Sequence, residues 1–409
     1  MHRRGQLPLA RPARLRATLR GFGLLLVLVA TASRAAVDPA PEGRVRFYNV
    51  ADSGFDVHSR APTADDARWM RKHYVRMQAY STYFDGRLAW YPDAWVYKDS
   101  YAIKPAWAVF REHPEWVLRD ERGRKLFINW GCANGTCPQF AADIGNPAFR
   151  QWWITGARDL VGRGYRGIWV DDVNLDWRIS DGNGRAVVPV DARTGRPMTL
   201  AAWRSYFAQF TEELRAALPG TEIAHNSIWY AEGALADPAI RRQVDAADYI
   251  NLERGATDPG LTGGNGPFGL ETFFAFIDAV HRRGRAVVLM DYGRTDAQRE
   301  YGLAAWLLVN GGRDLFSASR QAQTVPGKWW RGYSQDLGVA AGLRYAWRGV
   351  LRRDFACGVV LLNQPGAPVR TVDPGRSFQR VDGSVVRAVT LPAATAVILT
   401  IPQAGCPAT

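Results

Sequence analysis

Lysine is scarce in this chain: of 52 cationic residues only those at 72, 98, 104, 125 and 328 are Lys, the rest Arg. Beyond residue 35 no basic run tracks a phosphate backbone, so nucleic acid is excluded as a partner. Histidine is equally sparse, with six residues scattered along the chain. No His-Glu-x-x-His pair occurs, and the four cysteines do not have zinc-ribbon spacing, which argues against a zinc hydrolase or a metal-dependent deacetylase. A Gly-x-Ser-x-Gly elbow and a dinucleotide fingerprint are also missing. The glycine-rich stretch 263–269 lacks the Lys-Ser/Thr of a phosphate loop. No cofactor is therefore expected. Long hydrophobic runs are absent too, the apolar stretch 21–32 being too short to span a bilayer comfortably.

That stretch has a different reading. Residues 1–20 carry six Arg and no acid, and Ser33-Arg34-Ala35 supplies small residues of the kind a signal peptidase prefers. Residues 1–35 are read as a signal peptide, which implies a secreted or periplasmic protein without stable membrane insertion after cleavage. Its removal takes away seven Arg and lowers the formal charge from +13 to +6. Export permits disulfides. Cys132 and Cys137 flank the turn-forming Ala133-Asn134-Gly135-Thr136, and Cys357 with Cys406 brackets the C-terminal segment. Two structural bridges are expected.

From residue 44, strand-like apolar runs alternate with amphipathic helical runs, the pattern of β/α units around a parallel sheet. Strands are predicted at 45–50, 75–81, 168–170, 222–228, 247–252, 286–290 and 314–317, and helices at 64–73, 147–162, 200–218 and 270–283. A further helix is capped by Thr295. A third strand belongs somewhere in 82–143, a segment rich in Trp, Tyr and Pro. Asn146-Pro147 is a strong helix start, with Asn as N-cap and Pro where a missing N–H costs nothing. The economical sum is an α/β fold, a (β/α)8 TIM barrel over 36–320. The remaining 321–409 are read as the last barrel helix, 337–352, and a small C-terminal antiparallel β domain.

The stretch Ile168-Trp169-Val170-Asp171-Asp172-Val173-Asn174 is the most informative. A buried parallel strand reads as continuous apolar residues, and chemistry collects at its carboxyl end. Asp143, Asp171, Asp172, Glu253 and Asp291 all fall at such ends. Two carboxyl groups suffice to cleave a glycosidic bond, one protonating the leaving oxygen and the other attacking the anomeric carbon or activating water. The expected pair is Asp171 with Glu253. Asp172 competes with Asp171, because adjacent strand residues point to opposite faces. Tyr80, Trp130, Trp229 and Tyr292 would stack against sugar rings, with Asp143, Asn226 and Asp291 offering hydrogen bonds. Residues 172–176 resemble the start of a calcium loop but lack its sixth-position glycine and distal glutamate, so no metal is assigned.

His113-Pro114-Glu115-Trp116-Val117-Leu118-Arg119-Asp120 with Gly123, then Asp143-Ile144-Gly145-Asn146-Pro147, then 164–174, resemble the hypothetical glycosyl hydrolase family 15. They are more distantly similar to the α-1,4-polygalactosaminidase family. The likeness covers most of 44–400, with 359–363 and 389–399 resembling the small β domain that follows such barrels. It implies a TIM barrel and hydrolysis of an exported polysaccharide, with an amino-sugar-containing exopolysaccharide as one candidate. It also implies an acid pair after strands four and six, which falls on Asp171 and Glu253. Relatives often carry Asp-Asn where this chain has Asp171-Asp172. A non-catalytic carbohydrate-binding barrel is the alternative.

Overall fold

Eight parallel strands close on themselves in the computed structural model, which describes residues 38–229, 235–318 and 323–401. The expected signal segment and Cys406 lie outside these residues. The barrel strands are β1 Phe47–Ala51, β2 Tyr74–Ala79, β3 Ala94–Asp99, β4 Gly167–Asp171, β5 Glu222–Asn226, β6 Tyr249–Arg254, β7 Ala286–Asp291 and β8 Leu315–Ala318. β1 closes the barrel against β8 through the Phe47–Phe316 register. The helices between them are α1 Ala64–His73, α2 Pro147–Gly162, α3 Leu200–Ala217, α4 Pro238–Ala246, α5 Leu270–Arg282 and α6 Asp296–Val309. The predicted caps hold: Asn146 accepts from the Ala148 and Phe149 N–H groups, and Thr295 forms a capping box with Gln298.

Every second strand residue points inward, and these side chains fill the barrel in layers. Tyr48, Trp95, Trp169, Ala224, Tyr249, Val288 and Leu315 form a separate interior cluster. Below it Arg76 grips Glu222 with two hydrogen bonds of 2.7 Å, and Trp95 Nε1 donates to the same carboxylate at 2.7 Å. Burial pushes the Glu222 carboxyl up, but the Arg76 guanidinium more than compensates and holds it below the usual range. Removing one partner strands the other charge in the interior, a loss of about 3–5 kcal/mol. Glu222→Gln is expected to lower unfolding free energy by that amount in urea. A loss below about 1 kcal/mol, the scale of an exposed pair, would mean the guanidinium finds other acceptors.

Two departures from the regular unit matter for the site. Between β2 and β3 a one-turn 3-10 helix, Asp85–Arg87, stands in place of a full helix. An insertion between β3 and β4 supplies strands 102–103, 127–128 and 140–141, and the loop after β4 adds 179–180, making a four-stranded antiparallel sheet in the order 102–103, 140–141, 127–128, 179–180. The run 140–143 therefore belongs to this insertion, not to a barrel strand. The sheet carries the Cys132–Cys137 disulfide.

The helix expected at 337–352 is replaced by a hairpin of β9 Tyr345–Trp347 and β10 Val350–Phe355. Arg348 and Gly349 both have positive φ, 51° and 82°, the conformation of a tight two-residue hairpin turn. These strands join β11 Gly358–Asn363, β13 Phe378–Arg380, β14 Val385–Val386 and β16 Thr395–Thr400 in a six-stranded sheet. β12 Arg370–Val372 and β15 Val389–Leu391 pair separately. One face, with Val360, Leu362 and Ile398, joins the main core; the other, with Val359, Leu361, Val397 and Leu399, packs on Val372 and Leu391. The buried Arg353 locks the sheet to α6 by donating to the Leu307 and Asn310 carbonyls. In place of an eighth helix, Trp329 and Tyr333 cover Phe47 and Phe316.

Candidate active site

The inward alternation that places Trp169 in the barrel places Asp171 on the same face one step nearer the rim. Asp171 Oδ2 accepts from the Tyr97 hydroxyl at 2.7 Å, and Oδ1 accepts from Asn226 Nδ2 at 2.8 Å and from the Asp172 N–H at 2.8 Å. The same Asn226 nitrogen donates to Glu253 Oε2 at 3.3 Å. Its orientation is fixed from below, since Asn251 Nδ2 donates to Asn226 Oδ1 at 2.7 Å. Glu253 Oε1 accepts in turn from the Tyr292 hydroxyl at 2.8 Å. One amide therefore bridges the two carboxylates, held by a second amide below it. Both carboxylates are followed by residues in the left-handed region, Asp172 at φ 53° and Arg254 at φ 70°. Such strain ends each strand abruptly and is typical of functional loops.

Asp172 turns off the strand. Its carboxylate accepts from Asn174 at 3.1 Å and lies 3.6 Å from Arg178. Burial and the adjacent Asp171 charge push its carboxyl up to about 6. A further acid, Asp99, ends β3 in register with Asp171 and caps the Tyr101 and Ala102 N–H groups. Burial, then the charges of Asp172 and Asp171, raise it well above the aspartate range. Asp171 itself is raised by burial, with Asn226, Tyr97 and the Asp172 N–H pulling the other way. The second wall is aromatic. Tyr80 lies 4.7 Å from the Tyr97 ring, which stacks on Trp169 at 5.6 Å. Gln78 joins Tyr48 to Tyr80 by hydrogen bonds of 2.7 and 3.3 Å.

Of the residues singled out from the sequence, Tyr80, Asp171, Asn226, Glu253 and Tyr292 thus come together. Trp229 stands on the β5 loop, edge-on to Phe268 and Phe273 at 5.8 and 5.3 Å. Trp130, 62% exposed, projects from the inserted sheet beside the disulfide. Two expected sugar contacts are engaged otherwise. Asp143 is buried in a bidentate pair with Arg193 at 2.9 and 3.0 Å and caps the Gly145 N–H. Asp291 is buried and accepts from the Thr257 N–H and hydroxyl, while its other face presses on Gly255 and Gly302. Tyr97, Asp99 and Asn251 were not foreseen. The signal for the first two was the period-two run Trp95, Tyr97, Asp99, hidden because the third strand had no flanking helix to mark it. Among the described residues no group of three His, Cys, Asp or Glu is arranged to hold a metal ion.

A closed parallel barrel with carboxylates gathered on its carboxyl rim is the framework of the (β/α)8 glycosidases. The chain belongs to the hypothetical glycosyl hydrolase family 15, whose model matches residues 83–359. No curated protein matches the sequence. Among solved structures, it is similar to the glycoside hydrolase domain of PelA from Pseudomonas aeruginosa at 13% identity, covering 68% of this chain and 95% of that one, with a TM-score of 0.40. It is also similar to the α-amylase from Geobacillus thermoleovorans at 9% identity, covering 89% and 99%, with a TM-score of 0.48. The α-glucosyl transfer enzyme XgtA aligns at 12% identity over 88% and 100%, with a TM-score of 0.49.

Proposed function

We propose that this protein is an exported glycoside hydrolase that cleaves within a polysaccharide with retention of configuration, using Asp171 as nucleophile and Glu253 as acid and base. Residues 1–35 are the removable signal, and the barrel over 36–320 carries the chemistry. The observation that supports this is the single Asn226 amide bridging both carboxylates. An amide whose two hydrogens diverge by about 120° holds acceptors at these distances about 5 Å apart, the spacing of a retaining pair and too close for an inverting one.

Three donors face Asp171 and stabilise its charged form, the state a nucleophile needs. The Asp171 carboxylate attacks the anomeric carbon as Glu253 gives its proton to the departing glycosidic oxygen, forming a glycosyl–aspartate ester. Water then gives its proton to the Glu253 carboxylate and its oxygen to the anomeric carbon. The ester bond breaks and Asp171 is free again. Tyr292 steadies Glu253 in both steps, and Tyr80 with Trp229 offers ring faces for sugar stacking. The family resemblance likewise implies Asp171 and Glu253 as the acid pair.

The test is incubation of the mature chain with a panel of bacterial exopolysaccharides, amino-sugar polymers included, with reducing ends and their initial anomeric form followed. Release of one anomer, matching the substrate, is expected. Release of the opposite anomer would replace the nucleophile with a water-activating base, and binding without release would establish a carbohydrate-binding barrel.

A further inference from the structure

A cavity of about 520 Å³ opens between the loop after β1 and the hairpin after β8, within the size range of small-ligand sites. Both segments leave the carboxyl ends of barrel strands, so the cavity shares the rim with the carboxylate pair. Val50 lines the cavity and also packs against the interior cluster that includes Trp169.

Its chemistry is the reverse of the catalytic mouth. Phe55, Val57 and Val325 supply apolar surface, while the polar side chains include Asn49, His58 and Lys328. None of the described lining residues is an acid. The nearby Asp56 is held by Arg87 and Tyr83 at 2.6 Å each, and Asp52 caps the Gly54 N–H. Asn49 is only 6% exposed, and its Nδ2 has no hydrogen-bond partner among the described residues. A buried donor without a partner is unfavourable, and Asn49 is a lining residue of this cavity. Two further nitrogen-bearing side chains and no carboxylate on the wall favour a charged acceptor over a neutral one.

We propose that this cavity is a flanking subsite for a carboxylate-bearing sugar, so that the glycan acted on carries uronic acid or another acidic sugar beside the cleaved unit. The inference rests on the hydrolase reading for its place in catalysis, but the binding itself does not. Titration of the Asp171→Asn protein with trigalacturonate, the neutral galactose trimer and N-acetylgalactosamine, followed by calorimetry, tests it without turnover. Trigalacturonate is expected to bind at least tenfold more tightly than the neutral trimer and to weaken with salt. Lys328→Ala, at an exposed position, and Asn49→Leu should each reduce that affinity severalfold, with the melting temperature of each variant measured to exclude unfolding. Equal binding of the neutral trimer, preference for N-acetylgalactosamine, or uronate affinity unchanged in folded Lys328→Ala would overturn the proposal. Absence of uronate binding while the wild type still cleaves a neutral glycan would overturn it and leave the hydrolase reading standing. Uronate binding without cleavage of any glycan would do the opposite.

Discussion

Asp171→Asn is expected to reduce kcat by roughly 10⁴- to 10⁶-fold, the scale on which loss of a covalent nucleophile is felt, while leaving substrate affinity nearly unchanged. The side chain keeps its shape, and its one oxygen, placed as Oδ1, still accepts from Asn226 and the Asp172 N–H while its amide nitrogen can donate to the Tyr97 hydroxyl. What is lost is the negative charge and the bond it makes to the anomeric carbon. Glu253→Gln should lose about 10²- to 10⁴-fold, the range of general acid–base help, and the loss should shrink for substrates whose leaving group needs no proton. Added azide separates the roles further. With Glu253→Ala it can enter from the face opposite Asp171's ester and give a glycosyl azide of retained configuration, whereas with Asp171→Ala or →Gly it would give the inverted product. If Asp171→Asn stays within tenfold of wild type while Asp172→Asn is dead, the nucleophile is the residue that turns off the strand, and the Asn226 bridge has no catalytic meaning.

The acid limb of the pH–activity profile has a definite sign. Attack requires ionised Asp171, and burial raises its carboxyl above the ordinary aspartate value. Activity should therefore fall on acidification at a pH above the usual aspartate value of about 3.9. Losing the donated hydrogen bond in Asn226→Ala should move that limb higher still.

Much of this architecture is legible in the sequence because it depends on local physics. Helix α2 starts where Asn146-Pro147 predicts, and α1 covers the predicted 64–73 with Thr63 as its cap. Strands β4, β7 and β8 announce themselves as apolar runs because each is covered on both sides. β3 does not, since Trp95, Tyr97 and Asp99 alternate with residues facing the helix layer, and the following insertion erases the helix that would have marked the unit. The hairpin read as a helix at 337–352 shows the same limit: Arg348-Gly349 is a turn only if both residues accept positive φ, and the apolar spacing around it suits either period. At the site, the choice between Asp171 and Asp172 rests on strand register, a long-range property fixed here by pairing of β4 with β3 and β5. Asp143 and Asp291 share the strand-end signature with Asp171, yet one meets Arg193 and the other Thr257. Neither meeting is visible from sequence spacing.

Asp291 leads to the second large effect, a stability that falls as pH rises from about 4 to 7. Burial pushes its carboxyl up to about 7, against the hydrogen bonds from Thr257 that favour the charged form. The unfolded chain releases this proton near pH 3.9, so between those values the native state binds more protons than the unfolded state. Stability contributed by the neutral carboxyl is complete below about pH 4 and is lost progressively up to about pH 7. The shift corresponds to at most about 4 kcal/mol. There is little room for the charge to be solvated: a Cβ at Gly302 would stand 2.6 Å from Oδ2, and Oδ2 has no hydrogen-bond partner among the described residues. Asp291→Asn keeps an acceptor for Thr257 and cannot ionise, so its stability relative to wild type should rise by a few kcal/mol between pH 5 and pH 8 in urea unfolding. Parallel curves for the two proteins across that range would show that the native carboxyl is already ionised. The consequence reaches the site through one loop. Thr257 Oγ1, which donates to Asp291, also accepts from the Tyr292 N–H at 2.8 Å, and Tyr292 holds Glu253. The amide oxygen of Asp291→Asn should keep the Thr257 hydroxyl, and with it Tyr292, in place.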